Sequence, residues 1–235
     1  MSLAIKGEKQ PTRQLALDLA AEPRFGAEDF LVSPSNEAAY AMIERWPDWP
    51  SPSLILIGPP GAGKSHLAAI WAERAHARVV SGASLALADL PALAASGAVL
   101  IEDADRSRPD EAALFHLINL LKETGGAMVV TAARPPDVWG LTPPDLLSRL
   151  RLAPSVAIEP PDDALMRAVL VKLLVDRQLV VDTALVEHVA LRLERSLDAA
   201  RRFVARLDDE ALARGQRVSR TIAADVLAAM AGDER

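Results

Sequence analysis

Residues 53–65 read S-L-I-L-I-G-P-P-G-A-G-K-S, an apolar run that leads directly into a glycine-rich loop ending in Lys64 and Ser65. The last eight letters match the G-x-x-x-x-G-K-S/T pattern of a phosphate-binding loop. Glycines let the backbone curl until successive N–H groups point at one anion, and the following helix directs its positive end at the same place. The stretch therefore predicts a strand, a phosphate-binding loop and a helix, in that order.

The residue types in this loop suit the phosphates of a nucleotide. Lys64 supplies a positive charge for the β- and γ-phosphates, and the hydroxyl of Ser65 is a ligand for Mg²⁺. The alternative, a glycine-rich turn with a lone lysine, leaves the flanking strand and helix unexplained. We expect ADP or ATP with Mg²⁺ as the ligand. The predicted nucleotide-binding residues here are Gly58, Pro59, Pro60, Gly61, Ala62, Gly63, Lys64, Ser65 and His66.

Composition narrows the fold class. Half of the 235 residues are hydrophobic but only 4% are aromatic, so the core is rich in alanine, leucine and valine, which disfavours an all-β sandwich. The 26 basic and 32 acidic side chains give a net charge of −6, which disfavours a protein that coats DNA through contacts with its phosphates. The sequence has no cysteine, no apolar stretch that could span a membrane and no secretory signal, so we expect a cytoplasmic protein.

Short apolar runs and helical patterns alternate along the first two thirds of the chain. This alternation is typical of βαβ units, in which helices cover both faces of a parallel sheet. Strands are predicted at 53–57, 78–80, 98–101, 127–131 and, more weakly, 155–158. Helices are predicted from near Ser35 to the proline-rich stretch 46–52, and at 66–77, 110–123, 162–176, 183–194, 197–214 and 221–230.

The character of the chain changes near residue 160, after which the helical patterns follow one another with no strand between them. Asp162 and Ser219 are placed to cap two of these helices. The expected fold is therefore a three-layer α/β domain with a five-stranded parallel sheet, followed by a small all-helical domain. The expected boundaries are a tail at 1–24, the α/β domain at 25–160 and the helical domain at 161–235.

Acidic and polar side chains follow two of the predicted strands. Glu102, Asp103 and Asp105 come directly after the third strand, and Thr131 closes the fourth. At a sheet edge that carries a phosphate-binding loop, Glu102 and Asp103 can hold Mg²⁺ and position an attacking water, and Thr131 can contact the γ-phosphate. The alternatives are a solvated acidic strand end and an ordinary core threonine.

Four stretches together carry a family resemblance: G-P-P-G-A-G-K-S-H-L at 58–67, L-I-E-D-A-D at 100–105, V-T-A-A-R-P-P at 130–136 and L-L-S-R-L at 146–150. They resemble the AAA+ class of P-loop NTPases and, more narrowly, the ATPase portion of DnaA replication initiators, over about residues 25–230. The resemblance implies a nucleotide site closed by a helical lid. The DNA-binding domain that follows in DnaA has no counterpart here, so no sequence-specific DNA binding is expected.

An alternating leucine segment precedes this region. Gln14, Leu15, Leu17 and Leu19 lie in Q-L-A-L-D-L, where an extended backbone points all three leucines one way, towards an apolar groove on a partner. The segment is similar to the sliding-clamp-binding hexapeptide of Hda-type regulators, which are short DnaA-related proteins. The alternative is the first turn of an amphipathic helix that packs on the core.

The resemblance also assigns an arginine that acts in trans. In the family an arginine before the lid reaches the ATP of an adjacent subunit, where it stabilises the transferring phosphoryl group. The matching residue is Arg149, with Arg151 two positions on. The alternative is a surface arginine paired with Asp145.

Three positions depart from the family pattern. Glu102 stands where the family has aspartate, Ala133 lacks a family aspartate, and Asp198 stands where the family has a phosphate-contacting arginine. Arg201, one helical turn later, is the expected substitute. These changes predict that the chain's own hydrolysis is weak or absent.

The nucleotide base requires an apolar slot. The family forms one side of this slot from the segment 29–32, which points to Phe30 and Leu31, and Met166 and Arg167 are candidates for the other side. Core packing explains these residues equally well. The four histidines show no metal-ligand spacing, so no metal except Mg²⁺ is expected.

The resemblance implies a nucleotide-bound regulator that binds the sliding clamp and stimulates hydrolysis of ATP on DnaA. Two alternatives stay open: an autonomous ATPase or loader that acts on DNA or a protein, and a DnaA-recruiting adaptor with no catalytic role. The oligomeric state is also open, a homodimer included.

Overall fold

A computed structural model describes residues 26–106 and 110–233, apart from the side chain of Ala27. A five-stranded, all-parallel sheet forms its centre, in the order β2-β3-β4-β1-β5. The strands are β1 (Ser53–Ile57), β2 (Arg78–Ser81), β3 (Ala98–Glu102), β4 (Ala127–Ala132) and β5 (Ser155–Ala157). The predicted α/β class, the five strands and their parallel arrangement are confirmed.

Helices cover both faces of this sheet. They are α1 (Glu37–Glu44), α2 (Lys64–Ala75), α3 (Leu90–Ala95), α4 (Glu111–Thr124) and α5 (Pro144–Leu152). Because side chains alternate along a strand, Leu54 and Leu56 of β1 pack in a cluster with Leu67 and Trp71 of α2, whereas Ile55 faces the cluster formed by α3, α4 and α5. The central strands are buried on both faces, which explains their continuous apolar sequences.

Four further helices form a separate core after the sheet: α6 (Asp163–Asp176), α7 (Thr183–Ala190), α8 (Leu197–Arg214) and α9 (Arg220–Asp233). Phe203 and Val204 of α8 lie at the centre of this core, and among the described residues no strand follows β5. The predicted cap at Asp162 is present, since its carboxylate accepts a 2.8 Å hydrogen bond from the N–H of Leu165. Ser219 precedes α9 in the same way, at 3.4 Å from the N–H of Ile222.

The structure adds two helices that the sequence analysis did not predict, α3 and α5. Both are short and begin beside a proline, so neither shows a long periodic pattern. The predicted tail at 1–24 lies outside the described residues. None of the described helices is long and apolar enough to cross a membrane.

Candidate nucleotide-binding site

The loop between β1 and α2 requires glycine at three positions. Gly61 and Gly63 have φ angles of +71° and +102°, which side chains rarely adopt. At Gly58, a Cβ atom would lie 2.3 Å from the carbonyl oxygen of Ile158. The loop conformation therefore follows from its sequence, and it delivers the chain into the N-terminus of α2 beside the carboxyl end of β1.

Lys64 lies at the base of this loop. Its side chain is buried, and its Nζ donates hydrogen bonds to the carbonyl oxygens of Gly58 at 2.7 Å and Pro59 at 2.9 Å. Burial lowers the pKa of Lys64, and the nearby carboxylates of Asp103 and Asp105 partly oppose this effect. The site thus holds a poorly solvated cation, which an anionic ligand would stabilise.

A groove of about 680 Å³ runs between α2 and the strands β2 and β3, and Ser65 and Glu102 are among the residues that line it. Ser65 is exposed and Glu102 is half-buried. A hydroxyl and a carboxylate are the oxygen donors that Mg²⁺ prefers, and Mg²⁺ commonly keeps several of its waters. These two residues fit a magnesium ion bound beside a phosphate. No group of three metal-binding side chains occurs in the described part of the chain.

Thr131 and Asp103 are joined at the ends of β4 and β3. The backbone N–H of Asp103 donates to Thr131 Oγ1 at 2.9 Å, and the Thr131 side chain is fully buried. Asp103 has a φ of +51°, and its carboxylate pairs with Arg106 at 3.2 Å. The threonine hydroxyl therefore fixes the turn that presents Asp103.

Asp105 has a structural role that the sequence analysis missed. Its carboxylate accepts hydrogen bonds from the backbone N–H groups of Ala133 at 2.8 Å and Arg134 at 2.9 Å, and only 3% of its side chain is exposed. It therefore ties the turn after β3 to the turn after β4. No local pattern marks this contact, because it joins residues 28 positions apart.

Helix α8 is anchored on the phosphate-binding loop, which the sequence analysis also missed. The N–H of Leu197 donates to the carbonyl oxygen of Gly61 at 2.8 Å, and the buried Ser196 caps α8 through the N–H of Ala199. Asp198 lies in the first turn of α8 and pairs with Arg201 at 3.2 Å. Arg201, the predicted substitute, is therefore held by the carboxylate of Asp198.

Phe30 and His66 lie together beside the loop. Their rings make an edge-to-face contact at 5.2 Å, and Phe30 also stacks on Tyr40 at 5.6 Å. The Nε2 atom of His66 lies 3.1 Å from the carbonyl oxygen of Gly26, and burial is the main reason why the pKa of His66 is lowered. Phe30 is thus the member of the predicted base slot that is placed next to α2.

The other predicted members of the base slot have different surroundings. Leu31 packs against the core of the helical domain, and Met166 is buried within that core. Arg167 pairs with Glu187 at 2.7 Å.

Arg149 lies on α5, on the face of the sheet opposite α2. Its guanidinium stacks on the ring of Phe115 at 4.8 Å, and the side chain is half-buried. No ion pair of Arg149, with Asp145 or any other residue, occurs among the described residues, whereas Arg151 pairs with Asp137. Arg149 is therefore a positioned arginine with no carboxylate partner in the described part of the chain. The leucine segment with Gln14, Leu15, Leu17 and Leu19 lies outside the described residues.

Comparisons with known proteins agree with this architecture. No family model matches the chain. The chromosomal replication initiator protein DnaA of Caulobacter vibrioides is 29% identical over 176 residues, which cover 63% of this chain and 36% of that protein. The chain thus matches only about a third of the length of this curated relative.

Two solved structures show the same fold. Domain III of the Thermotoga maritima replication initiation protein DnaA has a TM-score of 0.73 at 21% identity, covering 87% of this chain and 96% of that one. AMPPCP-bound DnaA from Aquifex aeolicus has a TM-score of 0.64 at 19% identity, covering 78% of this chain and 65% of that one. The chain is therefore related to DnaA in sequence and has the fold of the AAA+ P-loop NTPases.

Proposed function

We propose that this chain is a nucleotide-bound regulator of replication initiation of the Hda type. It binds ADP or ATP with Mg²⁺ at the loop 58–66, docks on the DNA-loaded sliding clamp through Gln14–Leu19, and supplies Arg149 to ATP held by DnaA. Its nucleotide acts chiefly as a structural ligand that aligns the sheet domain with the helical lid.

The nucleotide part of the proposal is supported by the loop itself. Glycines with positive φ angles, a buried lysine and a helix N-terminus occur together in this loop, a combination that favours phosphate binding, and Ser65 and Glu102 offer oxygen donors for Mg²⁺. The AMPPCP-bound relative from Aquifex aeolicus supports the same ligand class. When bound, Mg²⁺ would offset the charge of the phosphates.

The observation that carries the regulatory role is the placement of Arg149. It lies on the face of the sheet opposite α2 and rests on Phe115, and it makes no ion pair with a described residue. Because the guanidinium rests on a ring and has no described carboxylate partner to leave, little free energy is needed to present it to a second molecule. There it would stabilise charge on a transferring phosphoryl group. Because the chain is related to DnaA in sequence, the ATP that Arg149 would contact is proposed to be the ATP bound to DnaA.

Weak hydrolysis by the chain itself is part of the proposal. Asp198 places a carboxylate in the first turn of α8, next to the loop, and it attracts Arg201 by an ion pair. A carboxylate at this position would repel the negative charge that a phosphoryl group carries during transfer, and it would therefore slow hydrolysis.

The test measures hydrolysis of DnaA-bound ATP in the presence of clamp-loaded DNA. Arg149→Ala is expected to lower the stimulated rate by about 10³-fold or more. Arg151→Ala is the matched control, since it removes an exposed arginine of the same helix and should preserve stimulation. Equal stimulation by wild type and Arg149→Ala would reject the catalytic role and leave the adaptor alternative. Leu17→Ala with Leu19→Ala should abolish clamp binding and preserve nucleotide binding.

The intact loop favours one alternative, an autonomous ATPase. That alternative predicts steady turnover of ATP by the purified chain without DnaA. Turnover that is unaffected by Arg149→Ala and abolished by Lys64→Ala would support it over the regulatory proposal.

A further inference from the structure

Residues 26–32 form a junction segment that is held on the sheet domain at both ends. At its start, the carbonyl oxygen of Gly26 lies 3.1 Å from the Nε2 atom of His66 on α2. Near its end, the carbonyl oxygen of Leu31 accepts a 3.0 Å hydrogen bond from the side-chain amide of Asn36, a buried residue directly before α1. These contacts fix the segment relative to the helix that follows the phosphate-binding loop.

The same segment contacts the helical domain through two side chains. The carboxylate of Asp29 pairs with Lys172 of α6 at 2.8 Å, and Leu31 packs against the core of the helical domain. Lys172 also pairs with Asp176, one helical turn further along α6, at 2.9 Å. Hydrogen bonds to the two carboxylates raise the pKa of Lys172, so its ammonium group stays charged. Lys172 thus joins α6 to a segment that is anchored on the other domain.

The ion pair of Asp29 and Lys172 lies beside the phosphate-binding loop. Phe30 directly follows Asp29, and a Cβ atom at Gly63 would lie 4.0 Å from the Cε2 atom of the Phe30 ring. Burial lowers the pKa of His66, and the charges of Asp29 and Lys172 also act on that ring, in opposite directions. The pair is partly shielded from water, since the side chain of Lys172 is 30% exposed and that of Asp29 is 27% exposed.

We infer that Lys172 is a positioning residue that retains the bound nucleotide by tying the helical domain to the junction segment, an inference that rests on the proposed nucleotide binding. To move away from the loop, the helical domain would have to break the hydrogen bond from Leu197 to Gly61. It would also have to break the ion pair of Lys172 with Asp29. The first contact is made by the phosphate-binding loop, whereas the second is made by the segment that contains Phe30, a predicted base-slot residue. The ion pair therefore acts on the base side of the site.

The rate of ADP release from the full chain tests this role, measured by stopped-flow displacement of a fluorescent ADP analogue with excess ADP and Mg²⁺. Lys172→Met keeps an unbranched apolar side chain but removes the charge, and Asp29→Asn removes the charge of its partner. Each variant should release the analogue about fivefold faster than wild type, as expected for a partly buried ion pair. The double variant should be no faster than either single variant, because all three lack the same contact.

Two matched variants and a second ligand separate this role from a general loss of stability. Asp176→Asn removes the other partner of Lys172 but leaves the contact with Asp29, so release should stay at the wild-type rate. Lys172→Arg keeps the positive charge and should retain slow release. Pyrophosphate can occupy only the phosphate part of the site, so its affinity should be equal in wild type and Lys172→Met.

Release at the wild-type rate from both Lys172→Met and Asp29→Asn would overturn the inference, as would equal acceleration by Asp176→Asn. A pyrophosphate affinity that falls by the same factor as ADP release rises would also overturn it, in favour of an effect on the loop. A wild-type chain that binds no ADP would reject the proposed function and the inference with it, so the two failures are distinguishable.

Discussion

The backbone N–H of Leu197 donates a 2.8 Å hydrogen bond to the carbonyl oxygen of Gly61. The contact joins the first turn of α8, in the helical domain, to the phosphate-binding loop of the sheet domain. A ligand that orders this loop would therefore also fix the orientation of the helical domain, since the two share a main-chain hydrogen bond.

Gly61→Ala should disrupt this junction. The new Cβ would lie 2.0 Å from Ser196 Oγ, and the residue would have to keep a φ of +71°. We expect a loss of more than about 2 kcal/mol in the free energy of unfolding, together with weaker ADP binding. Urea denaturation and calorimetry measure the two effects.

Gly125→Ala is the matched control for this change. Its φ is +70°, but a Cβ there would have no neighbour within 4 Å. The free energy of unfolding should therefore fall by only about 1 kcal/mol, the cost of a side chain in the left-handed region, and ADP affinity should be preserved. Equal losses in the two variants would show that the contact with Ser196 is unimportant.

Lys64→Ala should reduce ADP affinity about 10- to 100-fold, because a hydrogen bond from a charged donor contributes about 1.5–3 kcal/mol. Lys122→Ala, which removes an exposed lysine from α4, should leave the affinity unchanged. Calorimetric titration of both variants compares them directly. A Lys64→Ala variant with wild-type affinity would show that this ammonium group does not contact the phosphates.

ADP binding should weaken as the pH rises from neutral into the alkaline range. Burial lowers the pKa of Lys64 below the ordinary lysine value in the free protein, and bound phosphates would raise it again. Affinity is then complete below the lowered pKa and decreases as the pH rises through it, since binding must recover a proton. The Lys64→Ala variant should lose this dependence, and persistence of the same slope in that variant would assign it to another group.

Thr131→Val should destabilise the turn after β3. The change keeps the shape of the side chain but removes the oxygen that accepts the N–H of Asp103. An unsatisfied donor there should cost about 1–3 kcal/mol in the free energy of unfolding, measured in urea. Thr131→Ser retains the acceptor oxygen, so its free energy of unfolding should fall much less. A Thr131→Ser variant as unstable as Thr131→Val would refute the hydrogen-bond explanation.

The sequence predicted the parts of the molecule whose cause is local. Buried parallel strands are continuous apolar runs, and the loop 58–65 is fixed by its own glycines, so both were recognisable without tertiary information. The contacts of Asp105 with Ala133 and of Ser196 with Gly61 join distant segments, and no periodicity marks them. Short helices such as α3 contain too few turns to show a pattern.

Nucleotide binding by the loop 58–66 is the property on which the proposed function rests, and calorimetric titration of ADP with Mg²⁺ into the full chain measures it. We predict saturable heat with about one nucleotide per chain and a higher melting temperature, because a ligand that binds only the folded state stabilises it. Absence of heat at millimolar ADP together with an unchanged melting temperature would contradict the account.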